Sequence, residues 1–305
     1  MKNQKSESTP SIGNLGLTVD YLNNRVKILS GEVFQLVSSI REYLMSIISK
    51  NIEALELLSK ENTRFTARII GKGIGEIIPI KLNEGLIIYE EARIKTSFGL
   101  DIIYLGFNGR SRFNSLQLKQ EIQLSKEASC CIASISEPSN VIFERLFSPT
   151  EKDVEQLLEM YRLCFTDYLV PFDRNLVVNA AKGAIFFIAR NENGRIISSA
   201  IGESLRVGPL TFLEISEVAA HPLYRIKGAA SGCARRVVSM GRETLYPPVV
   251  VFWEARMWRN VLGISNIVGL NNLGGILHQH CRIASPKEFT SIEQTIYGSL
   301  AVFYG

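Results

Sequence analysis

Residues 214–231 read EISEVAAHPLYRIKGAAS. The stretch opens as a strand carrying two carboxylates, Glu214 and Glu217, and Pro222 ends that strand. "RIKGAA" then leads into a helix from Ala229 onward. The start of a helix presents backbone N–H groups that have no partner inside the helix, and its dipole adds partial positive charge there. Gly228, Ala229 and Ala230 keep side chains clear of those groups, and Arg225 and Lys227 supply two cations. Small residues, free N–H groups and cations together form a cradle for a pyrophosphate, without the lysine-serine ending of a P-loop. On the loop alone, a tight strand-to-helix turn with solvated cations fits equally well.

The surrounding order of elements gives the loop its setting. Turn-rich "SISEPSN" and "LFSPTEKD" mark a joint near residue 146. In the second, Ser148 is the expected N-cap, with Pro149 at N1 and Glu151 closing a capping box. The helix "TEKDVEQLLEMYRLCF" follows, then a hairpin in "AIFFIARNENGRIISSAIGES" that turns at Asn193-Gly194. The strand "TFLEISEVAA" precedes the loop. The helix over 229–245 carries Ala230, Ala234, Val237, Gly241 and Leu245 on one face. "VVVFWEAR" reads as a strand buried on both faces, and "GGILHQHCRI" and "GSLAVFYG" as two closing strands. A mixed α/β sheet is expected for this half.

The first half is less regular. Residues 1–14 read as a disordered tail. Phe34, Val37, Ile40, Leu44, Ile47, Leu55 and Leu58 predict helix over 31–60. "RFTARII", "GEIIPIK", "GLIIYEEARIK" and "LDIIYLGF" read as strands. "KGIG", at 72–75, is followed by a strand rather than a helix, so it reads as a hairpin turn and not a nucleotide loop. The expected domains are 15–145, an N-terminal α/β unit, and 146–305.

With 305 residues, 46% hydrophobic and 21% charged, the chain has ordinary globular composition. A net charge of +4 suits an anionic ligand as well as a nucleic acid, and decides neither. No apolar run approaches the roughly 18 residues of a membrane span, and the polar start shows no secretory signal. Five cysteines without regular spacing argue against a disulfide framework, and no CxxC pair suggests zinc. A cytoplasmic protein is the default expectation, and a homodimer is compatible with it.

Arg225-x-x-Gly228-x-Ala230 resembles the Arg/Gln-x-x-Gly-x-Gly/Ala loop of the GNAT superfamily of N-acetyltransferases, which lies between the fourth strand and third helix there. "CFTDYLVPFDRNLV", "LEISEVAAHPLYRIKGAA", "EARMWRNVLGISN", "GGILHQHCRI" and "SLAVFYG" are similar to segments of its β-lysine N-acetyltransferase branch. "ARIIGKGIGEIIPIKLNEG" and "LDIIYLGFNGRSR" echo that branch's N-terminal domain. The resemblance implies a C-terminal GNAT fold, a mixed and centrally splayed sheet flanked by helices, with acetyl-CoA as co-substrate. It implies that Arg225, Ile226, Lys227, Gly228, Ala229 and Ala230 hold the pyrophosphate and that Val218 and Ala220 pair with the pantetheine arm. Asn266 matches an asparagine near CoA. The acceptor would be the amine of a small molecule or amino acid, lysine-like in the branch it resembles.

Acetyl transfer to an amine that is protonated at neutral pH needs a base. Glu214 lies eleven residues before Arg225, where histone-acetylating members of the superfamily carry a glutamate base, and is the first candidate. Glu217 is the second. Three residues apart on a strand, the two are expected on opposite faces. Residues 261–276 contain no tyrosine, although many members carry one there to protonate the thiolate. That absence keeps a second reading open: a catalytically degenerate domain that binds acyl-CoA or a protein partner. An acyltransferase acting on a peptide or protein is a third. Asp167 and Asp173 are conceivable amine contacts, or ordinary helix-end acids. His278 and His280 share a strand face, but two histidines make a poor metal site. His221 is expected to cap the turn, and Arg235 to reach either solvent or a CoA phosphate. Trp253 and Trp258 read as packing residues rather than a stacking platform, and no nucleic-acid motif is present.

Overall fold

The computed structural model describes residues 16–20, 25–34, 37–77, 79–83, 86–110, 112–130, 137–165, 172–282 and 297–305. The expected tail at 1–14, Asp167 and most of the segment around it lie outside these residues. The first half runs β1 (Gly16–Asp20), β2 (Arg25–Phe34), α1 (Val37–Ile48), α2 (Ile52–Leu58), β3 (Arg64–Lys72), β4 (Ile80–Asn83), β5 (Leu86–Ile94), β6 (Leu100–Asn108) and α3 (Ser115–Cys130). The second half runs β7 (Val141–Arg145), α4 (Glu151–Cys164), α5 (Arg174–Gly183), β8 (Ile185–Asn191), β9 (Ile196–Val207) and β10 (Leu210–Ala220). It continues with α6 (Ala229–Thr244), β11 (Val249–Arg256), α7 (Arg259–Ile267), β12 (Asn272–Arg282) and β13 (Tyr297–Tyr304).

The fold is mixed α/β, as expected, and one sheet passes through both halves. Its order is β1-β2-β3-β6-β5-β12-β13-β11-β10-β9-β8-β7, with β4 attached to β5. The halves meet where Gly275 of β12 pairs with Ala92 of β5. Gly275 has φ +151, and a Cβ there would fall 2.2 Å from the carbonyl oxygen of Glu91. Only glycine lets the two backbones approach so closely. β7 pairs with β8 alone, so the outer strand beside the second half's helices lies just before residue 146.

Four cores hold these layers. Leu213, Ile215, Cys233, Val237, Trp253 and Phe303 pack between β10, β11 and α6. On the opposite face, Leu157, Met160, Tyr161, Phe186 and Ile201 pack under α4 and α5. Ile40, Leu44, Ala54 and Leu57 fix α1 and α2 against β2, β3 and β6. A fourth cluster joins the halves: Ile70, Ile102 and Tyr104 of the first lie against Phe212, Phe252 and Val302 of the second. This last contact carries β3 and β6 over the α4-side face of β10 and β11.

Several local expectations are corrected. Residues 31–34 belong to β2, where Val33 and Phe34 pair in parallel with Ile70 and Gly71. The helix then breaks, and the Asn51 side chain caps α2 by accepting from Ala54 N–H at 2.9 Å. The N-cap of α4 is Thr150, not Ser148: its hydroxyl accepts from Asp153 N–H while Asp153 accepts from Thr150 N–H. The same spacing repeats two residues on, and Asp153 gains Arg190 at 2.7 Å as well. β3 pairs with β2 and β6, so 72–75 is not a hairpin turn. The hairpin at Asn193-Gly194 forms, but only Gly194 takes positive φ, +71. β11 is partly open along its edge residues rather than buried throughout.

Candidate active site

The parallel register of β10 and β11 runs from Thr211↔Val249 to Ile215↔Trp253 and stops. β10 continues to Ala220 and β11 to Arg256, each still paired on its far side. Past Ile215 the facing edges therefore carry no ladder to each other, and the sheet splays. The open edge of β10 includes Ser216, Glu217, Val218 and Ala220, all half-buried, as residues lining a cleft are.

At the mouth of the cleft stands the start of α6. Gly228 is its N-cap with φ +93, a left-handed conformation that side chains disfavour, and no side chain caps the helix. Ala229 N–H bonds to the Ile226 carbonyl and Gly232 N–H to that of Gly228. The N–H groups of Ala230 and Ser231 are left without a partner among the described residues. Arg225 and Lys227 are exposed and carry no hydrogen bond or ion pair among the described residues. Ile226 turns its side chain inward against the α6 core, as does Val218. The loop thus has an anchored floor, two unengaged cations and two free N–H donors, the set a phosphate needs.

The acids are arranged differently from the sequence expectation. β10 bulges between Ser216 and Ala219, three residues facing two on β9, and Glu217 takes φ +43. A bulge breaks strict alternation. It brings Glu217 to the side of Glu203 and Glu214, both of which raise its proton affinity. Glu203 is the cross-strand partner of Glu214. The two candidate glutamates therefore share one face, the α4 side, instead of opposing each other.

Their surroundings separate them. Arg68 of β3 donates to Glu214 at 2.6 Å and to Glu254 of β11 at 3.2 Å, and Tyr104 of β6 donates to Glu254 at 2.9 Å. Glu214 is thus committed to an ion pair; burial still raises its pKa, opposed by Arg68 and reinforced by Glu254. Glu217 has no cation beside it among the described residues, and burial, opposed by the Ser216 hydroxyl, lifts its carboxyl to about 7. Lys27 of β2 lies nearby, lowered to about 8 by burial and by Arg25. These first-half residues had no signal in the sequence: Arg68 and Glu214 are 146 positions apart. Glu203 and Glu254 read only as ordinary strand residues.

Other candidates lie elsewhere. Asn266, on α7, donates its side-chain amide to the Ala128 carbonyl of α3, so it braces two helices. Arg235 pairs with Glu137 at 3.3 Å. Asp173 caps α5. His278 contacts Glu121 and Ser299, whereas His280 lies 3.4 Å from Arg64; the irregularity between Leu277 and Cys281, with Gln279 at φ +48, gives them separate partners. No cluster of metal-ligating side chains occurs among the described residues. Trp253 is core and Trp258 is half exposed. No helix among the described residues is long and apolar enough to cross a membrane.

No family model matches the chain, and no curated protein matches it. The solved structures that the chain matches include N-acetyltransferases. One, an N-acetyltransferase from Staphylococcus aureus, is 15% identical with a TM-score of 0.41, covering 55% of this chain and 98% of that one. A GNAT superfamily phosphinothricin acetyltransferase from Sinorhizobium meliloti, in complex with AcCoA, is 13% identical with a TM-score of 0.39, covering 54% and 88%. This chain also matches 14% of a fungal multi-domain GH3 β-N-acetylglucosaminidase with a glucosamine N-acetyltransferase region, at 18% identity and a TM-score of 0.33 over 40% of this chain. At such distances the case for this chain rests on its own geometry.

Proposed function

We propose that the chain is an acetyl-CoA-dependent N-acetyltransferase acting on the amine of a small molecule or amino acid, with residues 146–305 as the catalytic unit and 15–145 covering its acid face. The observation that carries this reading is the splay past Ile215 and Trp253, opening beside an uncapped helix start with two unengaged cations. Pyrophosphate would be held by Arg225, Lys227 and the N–H groups around Gly228, Ala229 and Ala230. The pantetheine arm would pair along Val218 and Ala220. Acetyl-CoA would supply an acetyl group activated as a thioester. A lysine-like acceptor agrees with Glu203 and Glu217, which carry no ion pair among the described residues, since cationic amines are drawn to carboxylates.

Glu217 is the base this geometry favours over Glu214. A carboxyl near 7 is still ionised in half the molecules at neutral pH and holds a proton well enough to take one from an ammonium. The neutral amine then attacks the thioester carbonyl, the C–S bond breaks, and the proton shed by the new amide nitrogen passes through water to the departing thiolate, a tolerable leaving group near neutral pH without a dedicated acid. The Arg68–Glu214 pair, together with the absence of tyrosine from α7, favours the second reading of a binding domain without turnover.

The test is isothermal titration of acetyl-CoA into the wild type and Arg225→Glu, followed by an amine panel with Glu217→Gln and Glu214→Gln. Micromolar binding is expected, weakened at least tenfold in Arg225→Glu. Turnover should fall about 100-fold or more in Glu217→Gln, and less in Glu214→Gln. No binding by the wild type would remove the acetyltransferase reading; binding without turnover of any amine would leave the second one.

A further inference from the structure

The turn that delivers the cradle, His221–Tyr224, is bordered by four side chains: His221, Glu159, Arg195 and Tyr224. His221 is fully buried, and its Nδ1 accepts from Leu223 N–H at 3.2 Å. That bond leaves the ring proton on Nε2, which faces Glu159 of α4 at 3.7 Å, beyond hydrogen-bond distance, and has no partner among the described residues. Glu159 accepts from Arg195, the residue just before β9, at 2.7 Å. The Arg195 guanidinium sits over the Tyr224 ring at 4.4 Å, and that ring packs back on His221 at 4.7 Å. The backbone adds His221 N–H to the Ile197 carbonyl at 2.9 Å and Tyr224 N–H to the His221 carbonyl at 3.2 Å. Arg225 follows Tyr224 directly. Leu223 itself is 76% exposed.

We infer that His221 is a positioning residue for the acyl donor: through Leu223 and the Glu159–Arg195–Tyr224 cluster it holds the Arg225–Gly228 loop in its binding shape. The inference rests on the donor site proposed above. A loop that must be ordered on binding loses affinity to the entropy of ordering it, whereas a preset loop does not. The chemistry at Glu217 is untouched by this clamp, so the effect belongs in donor binding and not in turnover.

The experiment compares His221→Leu, which fills the space but cannot accept a hydrogen bond, with His221→Asn. An asparagine oxygen accepts from the N–H two residues on, in the same local geometry. Acetyl-CoA is titrated into each, and KM and kcat are measured on the best amine. Affinity and KM should worsen about tenfold in His221→Leu, with kcat within twofold, and Asn should recover most of the loss. Tyr224→Ala, at a surface site, serves if His221→Leu does not fold; it should weaken binding several-fold. Wild-type affinity in either His221→Leu or Tyr224→Ala overturns the inference while leaving the donor site standing. A loss in kcat with KM unchanged also overturns it. Absence of binding in the wild type instead overturns the donor site itself, and the inference with it.

Discussion

Glu217 should destabilise the folded protein at neutral and alkaline pH, by an amount the structure allows to be worked out. Its folded carboxyl is raised from 4.5 to about 7, chiefly by burial and further by Glu203 and Glu214. Between those two values the folded state holds a proton that the unfolded state has released. Stability is therefore lost as pH rises through this window, and the loss is complete above about 7. At about 1.4 kcal/mol per pH unit the full effect is about 3 kcal/mol, and partial contact with solvent in the cleft trims it to about 2. Glu217→Gln keeps the shape and removes the charge. Urea denaturation at pH 4 and pH 8 should show the variant close to the wild type at the lower pH and about 2 kcal/mol more stable at the higher. Equal stability at both pH values would mean the carboxyl is not desolvated, and its candidacy as base would go with it.

Arg68→Met should cost about 3–5 kcal/mol in the same denaturation assay, because it leaves Glu214 and Glu254 buried without their cation; a cost below about 1 kcal/mol would mean the pair is solvent-screened and does not tie the halves together. Gly228→Val should destabilise by about 1–2 kcal/mol, since a β-branched residue is forced to φ +93, and should weaken acetyl-CoA binding more than Arg225→Ala does. Unchanged binding in the valine variant would show that the ligand does not approach this backbone.

Much of the second half was legible from local pattern. The strand-loop-helix at 214–231 is set by Pro222, by the small residues at the helix start and by the 3.6-residue stripe on α6, all of which act within a few residues. The two closing strands and the hairpin follow from runs of apolar residues and Asn193-Gly194. What failed locally has a local cause: the apolar residues read as a helix over 31–60 begin inside β2, and two overlapping capping spacings at 148–153 present the same pattern, of which the one starting at Thr150 forms.

The acid face was not legible at all. Alternation assigned Glu214 and Glu217 to opposite sides, and a single extra residue in β10 put them on one. The sequence by itself determined the cradle, because helix ends, glycine and proline act through neighbouring backbone. Only the tertiary structure decided which glutamate carries an ion pair, because that depends on a guanidinium brought from 146 residues away by the packing of Ile70 and Tyr104 on Phe212 and Phe252. Charge interactions reach across space without regard to chain order, so no local pattern can record them.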